Sequence, residues 1–416
     1  MTTTFAGLMC HAPIVIPAVA GPEASRCRAT TRAMREVADR AVHSRPDRLV
    51  LISPHSPRHP SRFAAWPGPR HVGDLGDFRN PQIRVDLPDA PEVAQALDLP
   101  PVISPRKDWL DHGAMVPLSF LWDAGWRGPT AILALPGHYH PDSAGLGRAL
   151  AALPGRTAVI ASGDMSHRLI PGAPSGYHPD ARRFDEAFVA ALRRNDWPRA
   201  LAAEPRELAA EDVIDSTAVA MAAAGRPLHA EVLSYEGPWG VGYTEAVFYD
   251  PEPPTYVIAR RSVRAAALGK HVEPPAGGPP SQGVFVTLYR HGQLRGCIGH
   301  IQPRHARLWE ELTEVARAAA LEDPRFPPLT ARELDDLQVE VSLLEPPEPV
   351  AGPEQLDPRR YGVIVRSGWR VGVLLPDLDG VDTVEQQIAI AKRKAGIRPD
   401  EPVELERFTV RKEVQP

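Results

Sequence analysis

Over the first 250 residues, short unbroken apolar runs alternate with amphipathic stretches. RLVLIS (48–53), TAILALP (130–136) and TAVIASGD (157–164) carry continuous apolar runs and end at or just before Pro, Gly or Asp. That is the pattern of strands buried on both faces of an α/β sheet. Between them, EASRCRATTRAMREVADRAVHS and PDARRFDEAFVAALRRNDWPRALAA repeat apolar residues at helical spacing and predict the covering layers. The opening MTTTFAGLMCHAPIVIPAVAG has no basic leading segment and is broken by His11 and two prolines, so it reads as an initial strand and loop.

The pattern changes at DPEPPTYVIARRSVRAAALGKHVEPPAGGPPSQG, where prolines bracket a helix-like stretch over 256–270 and PPAGGPP follows. We place the boundary there: one domain over 1–252 and a second over 253–416, with a linker and docking helix at about 252–282. Beyond it, GVFVTLYRHGQLRGCIG, QVEVSLLE and YGVIVRSGWRVGVLLP read as strands. A span from about 304 to 321 and TVEQQIAIAKRKAG read as helices. This order predicts an α+β domain with a mostly antiparallel sheet.

Composition narrows the function classes. The formal net charge of −5 gives no general attraction to nucleic acid or anionic lipid. No apolar run approaches the roughly 20 residues needed to cross a bilayer. Cys10, Cys27 and Cys297 are too few and scattered for a disulfide framework or an all-cysteine zinc site, which favours a reducing cytoplasm. No sequence feature sets an oligomeric state.

The candidate chemistry lies in histidines. His11, His55 and His167 follow or interrupt apolar strands, and His112 sits in a loop beside an aspartate and a glycine. Loops after strand carboxyl ends open onto the crevice of an α/β sheet. Neutral imidazoles there suit Fe, Zn or Cu, and two histidines with one carboxylate make the facial triad of non-haem Fe(II) oxygenases. His138 and His140 of GHYHPD are a second pair, read either as pocket rim or as solvated loop.

The order CHAP, ISPH, DHGAMVPL, SGDMSH, joined by GDLGDFRNP and SYEGPWGVGY, resembles the LigB-like class III extradiol ring-cleavage dioxygenases and their Memo-like relatives over roughly residues 5–250. The resemblance implies an α/β domain with a central mixed sheet covered by helices on both faces. It implies His11 and His55 as metal ligands, His167 as the acid/base with Asp164 nearby, and His112 as a contact to substrate or oxygen. The third ligand stays open. The dioxygenases use a glutamate and Memo-like proteins a cysteine, whereas AAEDVIDS offers Glu211 and Asp212, with Asp212 opposite the Memo-type cysteine. Either carboxylate also suits a helix N-terminus. The implied activity is Fe(II)-dependent cleavage of a small catecholic substrate by O2, with Zn or Cu as other metals. The alternative is a Memo-like metal-binding protein without dioxygenase activity, working with a radical SAM partner in a modification pathway.

Residues from about 255 to 414 resemble the AMMECR family, carried by LRGCIGHIQP, DPRRYGVIVRSGWRVGVLLP and KRKAGI. Fusion of the two halves resembles the AmmeMemoRadiSam systems. Gly296 and Gly299 flank Cys297 and permit close backbone approach or positive φ. Arg295, Cys297 and His300 form a candidate pocket edge. In one reading Cys297 is a thiolate activated by its basic neighbours, and in the other it is a small buried residue.

Overall fold

The computed structural model describes residues 3–102, 109–137, 142–225, 230–275, 277–378 and 380–416, and divides into units Met1–Pro253 and Pro254–Gln415, with the terminal Pro416 grouped with the first. His138 and His140 lie outside the described residues.

In the first unit the strands are β1 (Thr3–Met9), β2 (Arg48–Ser53), β3 (Ala64–Ala65), β4 (Arg70–Leu75), β5 (Asn80–Pro88), β6 (Thr130–Ala134), β7 (Thr157–Ser162), β8 (Glu231–Glu236) and β9 (Tyr243–Tyr249). Seven form one sheet in the order β3-β6-β2-β7-β1-β9-β8, while β4 and β5 pair separately. Strands β6, β2, β7 and β1 run parallel, and β3, β9 and β8 are antiparallel to their neighbours, so the sheet is mixed.

The longer helices are α1 (Arg28–His43), α2 (His112–Asp123), α3 (Ser143–Ala152), α4 (Ala181–Arg193) and α5 (Ile214–Ala224). Side chains alternate between the two faces of the sheet, and helices cover both, which explains the continuous apolar runs in the parallel strands. Leu49, Leu51, Ala158 and Ile160 pack with Met34, Val37, Val116 and Leu118 of α1 and α2. Val50, Ile52, Val159 and Ala161 pack with Leu146, Phe184, Phe188 and Val219 of α3, α4 and α5 on the other face. Both faces are thus covered. The helix expected from residue 23 begins at Arg28, because Gly21–Cys27 coil as a tighter 3-10 turn. The stretch expected as one helix over 179–203 breaks after Arg193, where Asn195 takes φ 56° and Asp196 caps a short helix at Trp197–Leu201.

In the second unit, α6 (Thr255–Ala267) and α7 (Leu308–Leu321) cover a sheet of β10 (Val284–Arg290), β11 (Gln293–His300), β12 (Leu337–Leu344) and β17 (Val410–Val414), in the order β11-β10-β12-β17. A second sheet, ordered β13-β16-β14-β15, joins β13 (Glu348–Val350), β14 (Gly362–Ser367), β15 (Arg370–Leu374) and β16 (Glu404–Phe408) under α8 (Val384–Lys394). All these pairings are antiparallel. The α+β class is as expected, but the strands divide between two sheets. Leu344, Ile364, Val373 and Phe408 pack together where the sheets meet. Among the described residues, no helix is long and apolar enough to cross a membrane.

Candidate metal centre

The adjacent strands β2, β7 and β1 run parallel, so their carboxyl ends share one edge of the sheet. His11 stands two residues beyond β1, His55 two beyond β2, and Asp164 and His167 follow β7. Parallel topology therefore gathers residues far apart in sequence into one crevice. His112 opens α2 and completes a histidine cluster. The His55 ring centroid lies 4.6 Å from that of His11 and 4.2 Å from that of His112.

The ring nitrogens converge. Nε2 of His55 lies 3.0 Å from Nε2 of His11, and Oδ2 of Asp212 lies 3.5 Å from the His11 nitrogen and 3.3 Å from the His55 nitrogen. His11, His55 and His112 each place a ring nitrogen within 4.8 Å of the others, so His112 also has ligand geometry.

Hydrogen bonds fix the His11 tautomer. Ser162 Oγ gives its one proton to the Gly113 carbonyl at 2.6 Å, so toward His11 Nδ1, 3.0 Å away, it acts as acceptor. Nδ1 then carries the proton and Nε2 turns a lone pair to the centre, the arrangement seen for metal-ligating histidines. Burial works against charge on His11, but Asp164 and Asp212 outweigh it and raise its pKa to about 9. Burial would likewise raise Asp212, yet the His11 and His55 rings hold it well below the usual carboxylate range. The set thus favours a cation between imidazole and carboxylate, and a metal ion competes with the proton for that place. Two imidazole nitrogens and a carboxylate oxygen are a donor set that fits Fe(II) or another first-row divalent ion.

Glu211 and Asp212 have different partners. Glu211 accepts from the backbone N–H groups of Val213 (2.7 Å) and Ile214 (2.9 Å) and pairs with Arg206 at 2.5 Å. Asp212 Oδ1 accepts from the Asp164 N–H at 2.7 Å, which leaves Oδ2 toward the histidines. Ala210, at φ 55°, ends the short helix Arg206–Ala209 just before the two carboxylates. Asp164 accepts from the His11 N–H at 2.9 Å, and burial raises its pKa. His167 donates from Nδ1 to the Ala210 carbonyl at 2.8 Å, which leaves Nε2 as a proton acceptor, and it interacts electrostatically with Asp164 and Asp212. Burial and the neighbouring His55 and His11 push His112 down to about 4, so it is neutral near pH 7.

His55 and His112 line a cavity of about 310 Å³ with Trp66, Leu75, Phe78, Trp109, Leu110 and Met115. These apolar walls, together with Asp111, Ser53, Ser56 and Ser162, are contributors that motif reading passed over. Their signal was modest: two serines end apolar runs, and Asp111 precedes His112.

In the second unit, Arg295, Cys297 and His300 have separate partners. Arg295 pairs with Glu333 at 2.8 Å, and His300 Nδ1 lies 2.5 Å from Glu311. Cys297 has Thr287 Oγ1 3.3 Å from its sulfur, donates its N–H to Asp323 (2.8 Å), and offers its carbonyl to Arg325 (3.2 Å). Neither glycine takes positive φ. Each permits close approach: a Cβ at Gly296 would lie 2.4 Å from the Ala319 carbonyl oxygen, and one at Gly299 would lie 2.2 Å from the Phe285 ring.

A mixed sheet gathering histidines and carboxylates at one edge, beside a cavity with aromatic walls, defines an α/β unit with a candidate metal site, followed by a sheet-rich α+β unit. The first unit matches the family described as the catalytic LigB subunit of aromatic ring-opening dioxygenase over residues 6–248, and the second matches AMMECR1 over 256–413. The chain belongs to the LigB family and carries an AMMECR1 domain as its second unit. It is 31% identical to protein CA_C1420 of Clostridium acetobutylicum over 97% of each chain. A Thermotoga maritima protein is 53% identical over 34% of this chain and 86% of its own. The crystal structure of PH0010 from Pyrococcus horikoshii is 36% identical, covering 38% of this chain and 88% of that one, with a TM-score of 0.36.

Proposed function

We propose that the first unit is an Fe(II)-dependent extradiol-type dioxygenase acting on a catecholic or related aromatic substrate. The observation that supports this most is the convergence of His11, His55 and Asp212 beside a cavity walled by Trp66, Phe78 and Trp109. Zn or Cu would fit the same donors, and the reading of Fe(II) follows from the two-histidine, one-carboxylate set. When bound, the metal supplies a redox-active centre that brings substrate and O2 to contact distance.

The chain's own groups have the following parts. The aromatic walls take the substrate ring by stacking or edge contact and exclude water. His167, its Nδ1 proton held by Ala210, accepts the phenolic proton at Nε2 and returns it later. His112, neutral near pH 7, offers a hydrogen bond to oxygen-derived groups as they form. Asp164 anchors the His11 backbone.

The test is oxygen uptake by iron-reconstituted full-length protein over a panel of catechols. Uptake with a ring-opened product, lost in His11→Ala and reduced in His167→Gln, supports the reading. Bound iron with no uptake across the panel contradicts it and directs attention to a non-oxygenase metal protein, whose radical SAM partner would be sought by co-purification.

A further inference from the structure

The first turn of α2 touches all three histidines. Asp111 Oδ1 accepts from Ser53 Oγ at 2.7 Å and from the Ala114 N–H at 3.0 Å, and its Oδ2 accepts from Ser56 Oγ at 2.7 Å. Ser53 and Ser56 bracket His55, and the His55 N–H donates to Ser53 Oγ at 3.3 Å. Trp66, a wall of the cavity, donates from Nε1 to Ser56 Oγ at 2.7 Å. One carboxylate thus grips the His55 loop from both sides while capping the helix that begins with His112. Gly113 follows, and its carbonyl is the acceptor for Ser162, which sets the His11 tautomer. A Cβ at Gly113 would lie 2.6 Å from Ser53 Oγ and 3.2 Å from His55 Cβ, so the turn and the loop meet without slack.

We propose that Asp111 is a positioning residue for the metal centre: through Ser53 and Ser56 it holds His55 at the distance from His11 and Asp212 that a common metal ion requires. This rests on the reading that these histidines bind metal. The capping bond to Ala114 is separable from this role, because asparagine caps a helix as well as aspartate does. An asparagine at 111 keeps one acceptor oxygen, whereas its amide nitrogen can only donate, so one serine hydroxyl loses its partner. Ser56 takes no part in the cap, and Ser56→Ala loosens the same loop without touching α2.

The experiment titrates metal-free full-length protein with Zn(II) against a chromophoric chelator, for wild type, Asp111→Asn, Ser56→Ala, His11→Ala and His55→Ala. Melting temperatures are taken alongside, and visible spectra are recorded with Co(II) in place of Zn(II). Groups that orient metal ligands are worth about 10–100-fold in affinity, and that loss is expected in both Asp111→Asn and Ser56→Ala. The Co(II) bands should shift in each, and the apo melting temperature should fall by no more than about 10 °C, so that each variant is still folded at the temperature of the titration. Wild-type affinity and an unchanged Co(II) spectrum in both variants, with binding lost in His11→Ala and His55→Ala, would overturn the positioning role alone. Zn(II) binding unaffected by the two histidine substitutions would overturn the metal reading and this inference together.

Discussion

Glu211 and Asp212 are neighbours in sequence with opposite assignments, and exchanging their losses makes a sharp test. Glu211→Ala removes a side chain that is 2% exposed, leaves the Val213 and Ile214 N–H groups without their acceptor, and strips Arg206 of its closer partner. Loss of a helix cap costs about 0.5–2 kcal/mol, and loss of a hydrogen bond to a charged group about 1.5–3 kcal/mol. Arg206 keeps Asp215 at 3.3 Å, so the total stays near about 2–4 kcal/mol, the lower part of the summed range. For a unit of this size that lowers the melting temperature by about 5–15 °C. Zn(II) affinity, measured below the transition, should stay within about threefold of wild type, because Glu211 does not face the histidines. Asp212→Asn should do the reverse: a loss of about 100-fold or more in Zn(II) affinity, exceeding that of any residue acting through another. Paired thermal melts and chelator competition read both quantities. Equal metal loss in the two variants, or wild-type affinity in Asp212→Asn, would refute the assignment.

Gly296→Ala should destabilise the second unit by about 1–3 kcal/mol in denaturant titration, since its Cβ meets the Ala319 backbone oxygen, which cannot rotate away. A neutral result would mean that α7 has room to retreat from β11. A thiol reagent should modify one cysteine of the native protein, the half-buried Cys297, while the buried Cys10 and Cys27 react only on unfolding. Labelling of Cys10 or Cys27 in folded protein would contradict this. Asp185, buried while accepting from the Ser166 N–H and the Tyr235 hydroxyl, has its pKa raised by burial to about 6. The folded chain therefore holds this proton more tightly than the unfolded chain, and the stability it contributes falls as pH rises from about 4 to about 6, by up to about 3 kcal/mol. Asp185→Asn should flatten that window in pH-dependent unfolding, and an unchanged slope would count against the assignment.

The parallel strands β1, β2, β6 and β7 of the first unit were legible because both faces are buried. Leu49 to Ile52 needs no polar residue on either side, and Ser53 marks where the sheet ends. The positions of His11, His55 and His167 followed from the same logic, since each stands just beyond a strand. The choice between Glu211 and Asp212 was not legible. It depends on where β1 and β2 bring His11 and His55, which leaves no trace in two adjacent carboxylates. The Asp111 clamp was hidden for a related reason: Ser53 and Ser56 lie 58 and 55 residues away in sequence. In the second unit, Arg295 and His300 pair with Glu333 and Glu311, 38 and 11 residues away, partners that the run around Cys297 does not reveal. Its glycines were read correctly as permissive, and the structure assigns that freedom to packing against Ala319 and Phe285.

The central claim is that His11, His55 and Asp212 hold an iron that serves ring cleavage. Its most direct test is a single turnover of iron-loaded protein with a catechol found active in the oxygen-uptake panel, under ¹⁸O₂, with the product analysed by mass spectrometry. The account predicts a ring-opened product that has gained oxygen from ¹⁸O₂ in the wild type and no such product in Asp212→Asn. A ring-opened product formed equally by Asp212→Asn, or one whose new oxygen derives from water alone, would contradict it.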